Sequence, residues 1–265
     1  MWGRLFRRPP KLHLAGESGE GPVVVMIHGI ASSSEATFQN VVPLLEPRHR
    51  CIRIDLLGFG DSPAPADSEY TLEEHVASVA ATIGSLGLRQ PFTLIGHSLG
   101  ALIATRYAAR HPKLVRHLVL VSPPVYLSPA ELGDSRDRAR QDFFLRAYRF
   151  LRDHQDFTVR NAAIVERILP IRRAIEITPD NWTPFVKSLQ NAIESQTTIS
   201  DLAAVRVPID VVYGSLDEFS SPGGMRIVER LAGVTMHRVR ASSHLIGRRL
   251  ARAVARAVEG PSELE

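Results

Sequence analysis

Residues 94–104 read LIGHSLGALIA, an apolar run interrupted by a serine set between two glycines. Glycines two before and two after Ser98 suit a strand-to-helix turn too tight for side chains at those positions. A serine on such a turn is forced to positive φ, a strained state that persists only where its surroundings demand it. The turn would aim the hydroxyl outward as a nucleophile. The next amide, on Leu99, would face the same space at a helix N-terminus, where it stabilises developing negative charge. A hydroxyl alone is a weak nucleophile; it needs a base, and the base needs an acid to orient it. Among ten histidines, His244 in ASSHLIG is the candidate base, placed after the strand-like run MHRVRA and at the start of the final helix. His97, beside the serine, is not assigned that role. Asp217 in YGSLDEF lies four residues past Tyr213 and is the candidate acid. Glu218 is its rival, and Asp210 sits inside the preceding strand, too deep. A second amide for the negative charge comes from Ile30, in the turn His28-Gly29-Ile30 after VVVMI. His28 reads first as a buried ring braced by hydrogen bonds and second as a residue lining the substrate site.

These residues need elements to carry them. Five short runs rich in β-branched residues, 22–27, 51–56, 92–95, 117–121 and 209–213, are continuously apolar rather than alternating. That pattern predicts strands covered on both faces, hence a parallel sheet flanked by helices. Between them, Thr71 with Glu74 forms a capping box. Leu72, Val76, Val79, Ala80, Ile83 and Leu86 follow on one stripe, and Gly87 ends the helix. Residues 99–110 form a second helix, and the last, about 244–257, turns Leu245, Ile246, Leu250, Val254 and Val258 inward. The alternation breaks near residue 123 and resumes near 205. The intervening stretch predicts helices near 129–152, 157–168 and 182–195, punctuated by prolines. It is placed as a lid over the carboxyl ends of the strands, where open α/β sheets bind ligands. Its large apolar residues include Phe143, Phe144, Tyr148, Leu151, Phe157, Trp182, Phe185 and Leu189. Most of them are expected to pack the lid onto the body, while Phe144, Tyr148 and Trp182, with Leu245, are candidate substrate contacts.

With HGI (28–30), DLLGFGDS (55–62), GHSLG (96–100), PIDVVYGSLDEF (208–219) and SSHL (242–245), the chain resembles the α/β-hydrolase superfamily over about residues 20–258. The likeness is to its lid-bearing small esterases and C–C bond hydrolases. The resemblance implies a mostly parallel eight-stranded sheet, or seven strands because MWGRLFRRPP supplies no convincing first one. It implies a core of residues 1–122 and 205–265 with a helical lid over 123–204. It also implies a triad in the chain order Ser98, Asp217, His244, no cofactor and no metal. The activity it implies is cleavage of carboxylic esters of small to medium apolar substrates. C–C bond hydrolysis, thioester hydrolysis and cofactor-free perhydrolysis are alternatives on the same site, and a non-catalytic ligand-binding homologue is another. Two departures stand out. Ser243 precedes His244 where the family often has glycine, and HGIASSS has serines where C–C hydrolases usually carry glycines. A serine rather than an aspartate nucleophile argues against the dehalogenase and epoxide hydrolase branches.

Composition sets the outer bounds. The chain has 265 residues, 44% hydrophobic and 23% charged, which is ordinary for a globular domain. The single cysteine, Cys51, forbids an intramolecular disulfide and reads as a buried structural thiol. The net charge of +4 comes from arginines near the two ends, without the aromatic interleaving of RNA binders, so no nucleic-acid partner is expected. The start lacks the ~7–15-residue apolar stretch of a signal peptide, and nothing approaches the roughly 20 apolar residues of a membrane span. The expectation is a cytoplasmic protein acting on a small molecule, with no stable membrane insertion and no oligomeric state set by the sequence.

Overall fold

Alternation along each strand decides which face of the sheet each side chain enters. On β2 (Val23–Ile27), Val25 and Ile27 join one apolar cluster while Val24 and Met26 join another. On β5 (Val115–Val121), Leu118 and Leu120 go one way, Val119 and Val121 the other. Both faces are therefore buried, which is what continuous apolar runs demand of a parallel sheet. The computed structural model describes residues 8–126, 135–154, 158 and 177–260. Among these it has seven strands in the order β1-β3-β2-β4-β5-β6-β7. The others are β1 Leu14–Ser18, β3 Arg50–Ile54, β4 Phe92–His97, β6 Ile209–Gly214 and β7 Val234–Val239. Only β1 is antiparallel, paired with β3; every other neighbour runs parallel. The seven-strand alternative is thus the one observed. The chain before β1 contains Pro9 and Pro10, which have no amide to give a ladder.

Helices cover the two faces. α1 (Ser34–Phe38), α2 (Val42–Leu45) and the last helix lie on one side, α3 (Leu72–Ser85) and α4 (Leu99–Arg110) on the other. The capping box at Thr71 is formed with both of its bonds. After β5 come α5 (Ser135–Asp153), α6 (Trp182–Ser188), a π-helical turn Leu189–Glu194 and α7 (Thr198–Ala204). α8 (Pro222–Glu229) separates β6 from β7, and α9 (Arg248–Glu259) closes the fold. α9 starts four residues later than expected: Gly247 is its N-cap in extended conformation. His244 and Leu245 therefore lie on a loop, and Leu245 is only half-buried.

Between β5 and β6 the described residues contain helices and no strand. Trp182, Phe185 and Leu189 are buried and belong to the same apolar cluster as α3 and α4. Pro184 packs on Gly58, at φ +81°, where any Cβ would stand 2.5 Å from the proline. Polar ties fix the same segment to the body. Lys187 Nζ donates to the Ser68 carbonyl at 2.8 Å and Asn191 Nδ2 to that of Glu69 at 2.7 Å. His75 Nε2 meets the Ser188 hydroxyl at 3.0 Å. Phe143, expected to pack, is 65% exposed on α5. The helix predicted near 157–168 and the side chains of Phe144, Tyr148, Leu151 and Phe157 lie outside the described residues.

Candidate active site

The register β4–β2 and β4–β5 pairs Gly96 with Ile27 on one side and Leu120 on the other, so the chain emerges from the middle of the sheet. There Ser98 takes φ 53° and ψ −120° as the N-cap of α4, a state that costs an L residue on the order of 1–3 kcal/mol. Two backbone bonds hold it: Ser98 N–H donates to the Val121 carbonyl at 3.0 Å and Ala101 N–H to the Ser98 carbonyl at 2.9 Å. A Cβ on Gly96 would stand 2.3 Å from the Gly100 carbonyl oxygen, and one on Gly100 2.3 Å from that of Ile27. Strand and helix meet backbone to backbone, which is why the motif spends two glycines. Leu99 is the first residue of α4, so its amide has no acceptor within the helix. The turn after β2 leans on the same spot. A Cβ on Gly29 would lie 3.0 Å from the Ser98 Cβ and 3.1 Å from His97 Nδ1. Ile30 follows Gly29 in that turn, and Ala31 after it has φ 49°.

Asp217 and His244 arrive on two loops laced together beyond β6 and β7. Ser215 N–H donates to the Val239 carbonyl at 2.8 Å, and Leu216 N–H to that of Ser242 at 2.9 Å. Ala241 N–H donates to the Ser215 hydroxyl at 3.0 Å. Gly214 is required here, since its Cβ would stand 2.1 Å from the Ser242 carbonyl oxygen. His244 Nδ1 lies 3.0 Å from Asp217 Oδ1. A carboxylate only accepts, so Nδ1 carries the proton and Nε2 is left as the basic nitrogen of the neutral ring. The same carboxylate oxygen accepts the Phe219 amide at 3.0 Å, and the Phe219 ring stands edge-on to His244 at 4.8 Å between centroids.

Burial by itself would raise the Asp217 pKa. The His244 charge and bond, with the Ser122 and Ser220 hydroxyls, outweigh it and hold the carboxyl well below the usual carboxylate range. Burial likewise opposes protonation of His244, but the Asp217 charge and bond, reinforced by Glu218, lift the imidazole above its ordinary value. Each partner thus favours the charged form of the other. Asp217 bonds the histidine at Nδ1, and Glu218 contributes its charge. Ser122, Ser220 and Phe219 were not singled out from the sequence. Ser122 ends the apolar run HLVLV at φ 49°, a polar residue at the carboxyl end of a central strand, which is the available signal.

His28 is corrected by its surroundings. It is fully buried, Nδ1 donates to the Gly29 carbonyl at 2.6 Å, and Nε2 accepts the Leu56 amide at 2.8 Å. Burial pushes its pKa down to about 4 against the pull of Asp55. With no exposed surface and both nitrogens used, His28 braces the turn and does not line a substrate site. Asp55 ties down the neighbouring loop, accepting the Ser34 amide at 2.8 Å and the Asp61 amide at 3.1 Å. His13, Asp55 and Asp61 bring three ligand-type atoms within 4.8 Å of one another, but the Asp55 oxygens are already committed to those amides. Trp182 is buried against Phe185, 5.9 Å between ring centroids.

A serine at positive φ in the middle of a parallel sheet, with an acid–imidazole pair on the loops beyond β6 and β7, suits the α/β hydrolase fold. The profile of the α/β hydrolase fold matches residues 22–163. The chain belongs to the α/β hydrolase family. It is similar to BODYGUARD 3 of Arabidopsis thaliana, named a probable lysophospholipase. The two are 42% identical over 118 residues, 43% of this chain and 23% of that protein. It is also similar to the pimeloyl-[acyl-carrier protein] methyl ester esterase of Aeromonas hydrophila. That match is 36% identical over 114 residues, 43% of this chain and 42% of that one. These matches span less than half the length of the curated relatives. A loop variant of a haloalkane dehalogenase from Bradyrhizobium elkanii superposes with a TM-score of 0.71 at 24% identity, covering 94% of each chain, and shares the fold. Among the described residues, no helix of this α/β hydrolase is long and apolar enough to cross a membrane.

Proposed function

We propose that this α/β hydrolase is a serine esterase that works through Ser98, His244 and Asp217 and an acyl-enzyme. The observation that supports the reading is the buried 3.0 Å Asp217–His244 pair, whose imidazole stands 5.0 Å from the ring of His97, the neighbour of the strained Ser98. His244 Nε2 takes the Ser98 proton as the hydroxyl oxygen attacks the ester carbonyl. Asp217 holds the ring in the Nδ1–H tautomer and stabilises the imidazolium. The Leu99 and Ile30 amides receive the negative charge on the carbonyl oxygen. His244 then gives its proton to the departing alcohol; it next takes one from a water whose oxygen attacks the acyl carbonyl, and returns it to the Ser98 oxygen as that ester bond breaks and the acid leaves. Halide displacement does not fit a serine here: attack on carbon would leave an ether that water does not cleave, whereas an ester intermediate turns over. The names of the two sequence relatives, a probable lysophospholipase and a methyl ester esterase, fit ester chemistry. The helices between β5 and β6 act as the lid, and their apolar side chains favour small to medium apolar acyl groups.

The test is an ester and thioester panel of increasing acyl length, run on the wild type and on Ser98→Ala. The alanine variant is expected to lose about 10⁴–10⁶-fold in kcat while its unfolding temperature holds, since alanine keeps the Cβ and only the hydroxyl is gone. A fluorophosphonate should label the wild type at Ser98. An unlabelled, inactive wild type, or an alanine variant that still turns over, overturns the reading.

A further inference from the structure

His97 occupies the variable position of the GHSLG motif, and its ring reaches two loops distant in sequence. Nε2 lies 2.9 Å from the backbone carbonyl oxygen of His244. A carbonyl only accepts, so Nε2 bears the proton. The opposite edge of the ring packs on Gly29, where a Cβ would meet Nδ1 at 3.1 Å and Cε1 at 3.5 Å. Nδ1 is buried without a hydrogen-bond partner among the described residues. The His97 and His244 rings stand 5.0 Å apart, tilted by 48°. One imidazole thus spans the turn that carries the Ile30 amide, the elbow that carries Ser98, and the loop that carries His244.

We infer that His97 is a positioning residue: its Nε2–H fixes the backbone of His244 and its ring sets the spacing between the histidine loop and the Gly29–Ile30 turn. The inference rests on the esterase reading of the site. Packing alone would ask only for an apolar ring, yet the ring present donates a hydrogen bond to the one residue whose imidazole must be aimed. Neutrality suits that task. Burial, together with the neighbouring His244 charge, pushes the His97 pKa down to about 3 against the pull of its own bond and of Asp217. A charged ring at that spacing would oppose the imidazolium that His244 must become. The unused Nδ1 is the residue of this choice, a lone pair left facing Gly29 so that the proton stays on the nitrogen that holds His244.

Two substitutions separate donor from shape. His97→Phe keeps a ring but removes the donor and leaves the His244 carbonyl unpaired in a buried site. In His97→Gln, the side-chain Nε2 reaches about as far from the backbone as the histidine Nε2 and still donates. On an ester that the wild type turns over, the phenylalanine variant is expected to lose about 10–100-fold in kcat, the scale of a misplaced reacting group. KM should stay within about 3-fold, because no substrate contact is touched. The glutamine variant should recover most of the loss. Equal losses in the two variants, or a folded phenylalanine variant as fast as the wild type, overturn the inference. A readout free of activity covers the case in which His97→Phe fails to fold. Nitrogen-15 NMR of the wild type, with the His97 ring assigned by its disappearance in His97→Gln, should show a neutral Nε2–H tautomer at pH 5. A ring protonated on Nδ1 overturns the inference even then. Ser98→Ala on the same ester reports separately on the esterase reading. If it retains wild-type turnover, that reading fails, and the NMR result still judges the hydrogen bond.

Discussion

Two carboxylates near β6 each bond histidine, and only one of them belongs to the proposed site. Asp210, inside the strand, bonds His117 Nε2 of β5 at 2.6 Å and also His237 Nε2 of β7. Asp217, three residues past the end of the strand, bonds His244. By residue type the first cluster is the richer one. It lies across the sheet, away from the elbow, with the Asp210 side chain 18% exposed and that of His237 37% exposed. The second is shut from solvent, with Asp217 at 0% and His244 at 7%. In Asp210 both carboxylate oxygens hold a histidine at its Nε2. In Asp217 the bond goes to Nδ1, and that leaves Nε2 able to act on something else. The lesson is that an Asp–His contact does not mark a catalytic pair. The marks are which nitrogen is consumed, and whether the other faces a nucleophile.

The comparison breaks most sharply under matched substitutions. Asp217→Asn should lower kcat by about 10³–10⁴-fold, because the amide presents a donor as well as an acceptor and no longer holds one tautomer. Asp210→Asn, assayed on the same ester, should leave kcat within about 2-fold. A comparable loss at both positions would dissolve the distinction. Smaller, and visible in a pH–rate profile, is the acid limb of kcat/KM. His244 must be unprotonated to act as base, and its pKa is raised, so the rate should climb with pH through a midpoint above the ordinary histidine value of about 6.5. Without the Asp217 charge, in Asp217→Asn, that midpoint should fall. An unmoved limb would mean that another group titrates. The least effect is on folding. Asp210→Asn should cost on the order of 1–2 kcal/mol in denaturant unfolding. Because the Asp210 pKa is depressed in the fold, with burial opposing and the two histidines prevailing, the wild type's advantage is present above the ordinary carboxylate pKa. It is lost as the pH falls through the folded value.

Much of this was legible from local sequence because the constraints are local. Gly96, Ser98 and Gly100 specify a turn whose backbone contacts leave no room for other residues, and the apolar runs specify strands buried on both faces. The order of serine, acid and histidine pointed to Asp217, with Glu218 its rival, and to His244, and the structure bonds Asp217 to His244. Burial was harder to read. His28 offered a nitrogen in principle, but its two partners, the Gly29 carbonyl and the Leu56 amide, come from backbone that no pattern of side chains reveals. The final helix was expected from His244 because the apolar stripe includes Leu245 and Ile246. In the fold Gly247 caps a later start and frees the loop that aims the histidine. The reach of His97 was equally invisible, since its acceptor lies 147 residues away.

The buried imidazoles also make unfolding a proton-consuming reaction. His28, His75 and His97 fold neutral, with pKa values pushed down by burial to about 4, 3 and 3. In the unfolded chain each would titrate near 6.5. Between those limits the unfolded state holds more protons than the folded one, so stability rises with pH, and each histidine contributes up to ~1.4 kcal/mol per pH unit. Acidification from pH 6 toward 4 therefore draws on three groups at once. The same close-packed interior that buries Ser98 gives the protein a steep acid boundary.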